Sequence, residues 1–269
     1  MLTGILYMYM KLVVLDGYTE NPGDLDWRGM EALGDLTVYA RTDHSQVKER
    51  MQDADAVIIN KVPMTRELMQ ESKQLRYIGV LATGYDVVDI EAARDLHIAV
   101  TNVPGYGTDT VAQYAIALLL EVTSRIGHHA KRVKEGEWAN NADWCFWDYP
   151  LMELSGRTMG IIGFGRIGRK VAEIAQALGM HVLFHDAHAD NDTHAEKVSL
   201  EELLRRSDVV SLHCPLTKEN DSLINKATLA MMKSNAILIN NARGKLINEY
   251  DLVQALQNGT IYAAALDVV

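Results

Sequence analysis

Two α/β domains, each built around a parallel sheet, are predicted by three features of this 269-residue sequence. Short apolar runs alternate with amphipathic helical stretches along the chain, as when buried parallel strands are joined by crossover helices. The run Asn102-Val103-Pro104-Gly105-Tyr106-Gly107 interrupts that alternation with residues that break helices and strands alike, and so marks a junction. Residues 158–186 then join an apolar run, a glycine-rich turn, a helical pattern and a second apolar run ending on an acid.

In the first half, the runs at 12–15, 37–39, 56–59, 77–80 and 99–101 read as strands. Residues 1–10 are apolar but lack a basic leader and a small-residue cleavage site, and they are far too short to span a bilayer. Met10-Lys11 leads directly into a strand, so translation is expected to begin at Met10, an additional edge strand being the alternative. After the junction, a long helix with small residues on one face is expected from Thr108 to about Gly127. His128 and His129 follow on a polar helix and are expected to face solvent. The tract 138–149 holds three of the four tryptophans among polar residues, which suits a structured loop forming a subunit contact. Strands are expected again at 159–162, 182–185, 209–212, 236–239 and 263–266. The last of these is followed almost at once by Val269, and the chain reads as truncated there.

The turn Gly163-Phe164-Gly165-Arg166-Ile167-Gly168 is the strongest chemical signal. In a dinucleotide site the first glycine permits a tight exit from the strand, the second lets backbone amides approach a pyrophosphate, and the third lets the helix pack on the sheet. A helix starting near Arg166 would turn unpaired amides and its positive dipole end to that anion, with Arg166 and Arg169 adding charge. Glycines at this spacing also occur in ordinary turns; the context of strand, helix and strand makes the difference. Asp186 closes the second strand where a carboxylate accepts from a ribose 2′-hydroxyl. It would repel a 2′-phosphate, and no arginine follows in Ala187-His188-Ala189, so NAD is expected rather than NADP. A solvated strand-end aspartate is the alternative.

Functional groups of an open parallel sheet gather at the carboxyl ends of its strands. Three further strand ends deliver His213-Cys214-Pro215-Leu216-Thr217, Asn240-Asn241-Ala242-Arg243-Gly244 and Asp267. Arg243 can bind a carboxylate bidentately while polarising an adjacent carbonyl, or simply pair with a surface acid. Asp267 can accept from a nicotinamide amide or be an ordinary strand-end acid. In the first half, Leu81-Ala82-Thr83-Gly84-Tyr85-Asp86 follows a strand, and Gly84 would let consecutive amides form an anion-binding nest, a plain turn being the alternative. Cys214 is expected to be a packed residue rather than a nucleophile.

Composition narrows the class. Apolar content of 48% fits a globular protein, and a net charge of −10 argues against nucleic-acid or anionic-membrane partners. The two cysteines, Cys145 and Cys214, lie far apart with no metal-ligand spacing, so neither a disulfide framework nor a metal site is expected, and a reducing cytoplasm is.

These residues resemble the D-isomer-specific 2-hydroxyacid dehydrogenase family over essentially all of residues 10–269. The resemblance is carried by Gly84-Tyr85-Asp86, the junction from Asn102 to Thr108, the turn at 163–168, His213-Cys214-Pro215-Leu216-Thr217, Ala242-Arg243-Gly244 and Ala265-Leu266-Asp267-Val268. Asp143-Trp144-Cys145-Phe146-Trp147 and Leu81-Ala82-Thr83-Gly84-Tyr85 are similar more narrowly to the glycerate dehydrogenase (hydroxypyruvate reductase) branch. The resemblance implies two Rossmann-like parallel-sheet domains: a flavodoxin-like substrate domain over 1–104 and an NAD-binding domain over 105–269. It implies that Ala82, Thr83 and Gly84 hold a substrate carboxylate, and that Arg243 binds carboxylate and carbonyl oxygen. Thr108, Gly163, Gly165, Arg166, Ile167, Gly168, Asp186, His213, Cys214, Pro215, Ala242 and Asp267 would contact NAD. Hydride would pass between nicotinamide and C2 of a small D-2-hydroxy or 2-oxo acid, and a homodimer would form through the junction helix and the tryptophan segment.

The family's general-acid histidine and the glutamate that tunes it would both lie beyond Val269. Residues 1–269 are therefore expected to turn over poorly, since general acid catalysis typically contributes about 10²–10⁴-fold. Two other functions remain open on this scaffold: a non-catalytic NAD-sensing regulator, and oxidation of formate or phosphite.

Overall fold

A computed structural model describes residues 10–190, 192 and 195–269; expectations for residues 1–9 lie outside the described residues. The chain divides into two compact units, one running to Tyr106 and the other Gly107–Val269.

The first unit is a five-stranded sheet of β1 (Met10–Val14), β2 (Gly34–Val38), β3 (Ala56–Ile59), β4 (Tyr77–Val80) and β5 (Ala99–Thr101). Its order is β2-β1-β3-β4-β5 with every pair parallel, the flavodoxin-like arrangement whose crevice lies beyond the ends of β1 and β3. All four residues of β3 are buried, which is why its sequence is a continuous apolar run rather than an alternating one. Side chains of Leu15, Met51, Ile59 and Ile78 are fully enclosed in this core, each such burial contributing about 1.5–3 kcal/mol. The edge strand β2 begins three residues earlier than its apolar pattern suggests. Gly34 pairs with Met10, and a Cβ there would sit 2.6 Å from the Leu12 side chain, so a position with no hydropathy signal belongs to the ladder.

The second unit contains β6 (Thr158–Ile162), β7 (His181–His185), β8 (Glu196–Lys197), β9 (Val209–Leu212), β10 (Ile237–Asn240) and β11 (Ala263–Leu266). They are parallel in the order β11-β10-β9-β6-β7-β8, the doubly wound dinucleotide-binding topology with its switch point between β6 and β9. Successive strand residues feed two cores on opposite faces: Ile237 and Ile239 enter one, Leu238 the other. Ala112 and Ala115, small residues on the helix Thr108–Ser124, are buried in the first of these cores.

Three expectations are corrected. The junction helix does not reach Gly127 but stops at Ser124, because Arg125 takes a left-handed φ of 51° and a second helix, Ile126–Lys134, starts there. That backbone state costs a non-glycine residue roughly 1–2 kcal/mol. It is offset by the Glu121 carboxylate accepting from the Gly127 amide at 3.0 Å and by the Arg125 guanidinium donating to the Tyr262 hydroxyl at 3.1 Å. His128 and His129 are half-buried rather than fully solvent-facing, since the segment after Lys134 folds back over their helix. His128 Nε2 meets Asp148 at 2.5 Å, and His129 stacks on Phe146 with ring centroids 5.5 Å apart. Finally, β10 begins and ends one residue later than expected, because the fully buried Asn240 pairs with both Leu212 and Leu266 in the ladder.

Candidate functional site

The carboxyl edge of the second sheet is assembled from the strand ends outward. Beyond Ile162 the chain turns at Gly163 with φ +94°, and a Cβ there would lie 2.5 Å from the Cys214 amide nitrogen and 2.6 Å from the His213 carbonyl carbon. The loops after β6 and β9 therefore touch backbone to backbone at a point only glycine can occupy. A Cβ on Gly168 would strike the Gly163 carbonyl oxygen, so this residue sets how closely the helix Arg166–Ala177 approaches its own turn. Gly165 differs from both: a Cβ there would meet nothing within 4 Å. It is exposed, and no side chain caps the helix it precedes, so the first-turn amides are available to an anion. Arg166 is exposed and Ile167 half-buried on that first turn. Arg169 pairs with Asp192 at 2.6 Å and lies over the Phe164 ring at 4.6 Å, so part of its charge is already matched.

Asp186 ties this loop to the end of β7. One carboxylate oxygen accepts from the Phe164 amide at 2.6 Å, and the other from the amides of His188 and Ala189 at 2.7 and 2.8 Å. Partial burial alone would raise its pKa, but the three amide bonds outweigh it and hold the carboxyl below the ordinary range. The group is thus a fixed, ionised acceptor beside the glycine turn, and a 2′-phosphate brought there would meet a full negative charge.

The neighbouring strand ends supply the rest. His213 donates its amide to the Ile162 carbonyl at 2.7 Å, fixing the start of the Cys214-Pro215 loop, and its Nε2 lies 2.8 Å from the buried Ser211 hydroxyl. Burial pushes the imidazole down to about 4, so at neutral pH it is uncharged and does not act as an imidazolium acid. Burial also pushes the Cys214 thiol up, which leaves it uncharged and a poor nucleophile. After β10, half-buried Ala242 and Arg243 lie on a loop shaped by Asn240, whose side chain donates to the Arg243 carbonyl at 2.8 Å and accepts from the Ala242 amide at 3.0 Å. Asn241 donates to the Val111 carbonyl at 2.9 Å. These two asparagines were passed over in the sequence; their signal was a pair of amides closing an otherwise apolar strand. Asp267, beyond β11, is exposed and anchored through its amide to the Asn240 carbonyl at 2.9 Å. Thr108 is the first residue of its helix and is half-buried.

In the first unit, the loop beyond β4 is pinned by the segment beyond β5. The Asn102 side chain donates to the Thr83 carbonyl at 2.7 Å, the Thr83 hydroxyl to the Val103 carbonyl at 3.1 Å, and the Val103 amide to the Ala82 carbonyl at 3.0 Å. Carbonyls are thus consumed, whereas the amides of Ala82, Thr83 and Gly84 donate to no acceptor among the described residues. Gly84 does not take a left-handed φ, which corrects the reason expected for it: the loop owes its shape to these cross-links, not to glycine's conformational freedom.

The His213 environment has a measurable consequence. Its folded pKa lies below the unfolded value, so between about pH 6.5 and 4 the unfolded chain takes up a proton that the folded chain refuses. Stability therefore falls as the pH drops through that window, by up to about 3 kcal/mol from this group. Chemical denaturation at pH 7 and pH 4.5 is expected to show that loss for the native protein and a smaller one for His213→Asn; equal losses would remove His213 as the cause.

Comparison with known proteins fits this geometry. Residues 116–269 match the family described as D-isomer specific 2-hydroxyacid dehydrogenase, NAD binding domain. A hydroxypyruvate reductase from Blautia hydrogenotrophica is 54% identical over 266 residues, covering 97% of this chain and 83% of that protein. Among solved structures, an acyclic imino acid reductase in complex with NADPH and D-Arg superposes with a TM-score of 0.86 at 30% identity, covering 97% of this chain and 83% of that one. D-lactate dehydrogenase from Aquifex aeolicus complexed with NAD and lactic acid gives 0.79 at 32% identity, with coverage of 96% and 76%. With a doubly wound parallel sheet, an open glycine turn at its carboxyl edge and this degree of likeness, the chain belongs to the D-isomer specific 2-hydroxyacid dehydrogenase family.

Proposed function

We propose that this NAD-dependent oxidoreductase interconverts hydroxypyruvate and D-glycerate, with glyoxylate as a second small 2-oxo acid. The observation that carries the reading is the placement of Arg243 on the same carboxyl edge of one sheet as the open Gly165 turn and the ionised Asp186. The identity to a hydroxypyruvate reductase supports the choice of acid. In this reading the unit to Tyr106 binds substrate and the remainder binds NAD.

The residues at the glycine turn fit the dinucleotide. The first-turn amides behind Gly165, with Arg166 and Ile167, would hold the pyrophosphate; Asp186 would hold the ribose; Thr108, Cys214, Pro215, Ala242 and Asp267 would line the rest of the edge. When bound, the nicotinamide supplies or accepts the hydride at C2. Arg243 orients the substrate through its carboxylate and draws electron density from the carbonyl oxygen. In the first unit, the amides of Ala82, Thr83 and Gly84, which donate to no acceptor among the described residues, offer donors to a carboxylate. His213, neutral above about pH 4, stays a member of the cofactor loop and does not supply the proton. Titration of the NADH-loaded protein with hydroxypyruvate, followed by calorimetry, tests the reading. Saturable binding is expected, competed by glyoxylate; absence of heat with either acid would overturn it.

The protein is also read as a homodimer. Trp144 and Trp147 are 87% and 70% exposed on the segment covering the helix Ile126–Lys134, and Ile126 adds a further exposed apolar side chain. Sedimentation velocity is expected to give a species of twice the 30.0 kDa chain mass, shifted to monomer by joint Trp144→Ser and Trp147→Ser substitution. A native monomer at micromolar concentration would contradict this. No helix among the described residues is long and apolar enough to cross a membrane. A cytoplasmic location is supported by Cys145 and Cys214, both of which are free thiols.

A further inference from the structure

A cavity of about 490 Å³ lies on the first unit beside the edge strand β5. Its floor is apolar: Ala93 and Ile98 are core residues, 1% and 6% exposed, and Ile90 and Val100 pack against the same core. Its rim is polar and exposed. The Arg94 guanidinium has no hydrogen-bond or ion-pair partner among the described residues, although its neighbour Asp95 is paired with Arg66 at 2.9 Å. Among the described residues the Tyr85 hydroxyl, on a residue that is 51% exposed, has no partner, and the Asn102 amide oxygen accepts no hydrogen bond.

We infer that this cavity binds a small amphipathic carboxylate, its apolar body on Ile98 and Val100 and its carboxylate on Arg94. The chemistry is specific: the floor recovers hydrophobic burial, while a guanidinium meets a carboxylate as a charge-assisted fork. The site is also connected to the loop beyond β4. Tyr85 follows Gly84 directly, and Asn102 is the residue whose side chain holds the Thr83 carbonyl. A ligand seated between Tyr85 and Asn102 therefore packs against the side chain that fixes the shape of 82–84. The cavity's existence is independent of the dehydrogenase reading; only the sense of that coupling, an effector acting on substrate affinity, rests on it.

The test is methyl and amide NMR of the full chain titrated with hexanoate, with hexan-1-ol as the uncharged control. Saturable shifts are expected at the Ile90, Ile98 and Val100 methyls and at the amides of 82–84. Arg94→Gln, a surface change that leaves the remaining spectrum in place, is expected to weaken hexanoate about fivefold or more and to leave hexan-1-ol unchanged. Absence of saturable shifts at those methyls would overturn the proposal, as would equal hexanoate affinity in the native and Arg94→Gln proteins. Because the readout is a chemical shift, it stands even if hydroxypyruvate proves not to be the substrate.

Discussion

Gly165→Ala is expected to leave the second unit folded and to cut NADH affinity by about 10- to 100-fold, the effect of a methyl group placed where a ligand must approach backbone. The added Cβ meets no protein atom within 4 Å, so any loss arises in the complex. Gly163→Ala should behave in the opposite way. There the methyl group meets the His213–Cys214 backbone at 2.5–2.7 Å and the residue must hold a φ of +94°, so strain and overpacking together cost about 2–5 kcal/mol of stability. For a unit of this size that is a fall of roughly 5–15 °C in melting temperature. Thermal denaturation paired with NADH fluorescence titration separates the two glycines. A destabilised Gly165→Ala, or one that binds NADH normally, would mean that the turn does not face the cofactor.

The second large effect concerns Arg243. Its backbone is fixed from Asn240, through the carbonyl of Arg243 itself and the amide of Ala242, and its Nη1 donates to the Ala242 carbonyl at 2.8 Å, so the guanidinium is held against a loop whose shape does not depend on the substrate. Loss of a two-pronged charged contact to hydroxypyruvate in Arg243→Ala is expected to weaken its binding to the NADH-loaded protein by about 100-fold. Arg243→Lys keeps the charge but not the fork, and should recover only part of that loss. NADH affinity should be little changed in both, which distinguishes a substrate contact from a collapsed cofactor edge. Calorimetric titration of the native protein and both variants with hydroxypyruvate decides it. Native-like binding by Arg243→Ala would remove the residue from the site.

The strands were legible wherever burial on both faces wrote a continuous apolar run, as in β3. The glycine turn was legible because three different steric demands fall at fixed spacing on residues without side chains. Other features leave no such trace. Strand β8 is two charged residues, Glu196-Lys197, held at the sheet edge by pairing with β7, and no hydropathy pattern announces it. The helix break at Arg125 depends on a carboxylate four residues upstream reaching past it to Gly127, and the partial burial of His129 depends on a distant phenylalanine folding back. Both are tertiary events acting on a locally helical sequence. At the candidate site the acid was readable from its position after β7, but not the three amides that keep it ionised. Glycine at position 84 suggested a left-handed nest, yet side-chain cross-links from Asn102 and Thr83 shape that loop instead.

The claim on which the account turns is that Asp186 grips the adenosine ribose and sets the preference for NAD. Calorimetric titration of the native protein and Asp186→Ala with NADH and NADPH tests it most directly. The native protein should bind NADH at least about tenfold more tightly than NADPH, and the substitution should weaken NADH while bringing NADPH level with it or better. Unchanged NADH affinity in Asp186→Ala, or equal affinity of the native protein for both cofactors, would contradict it.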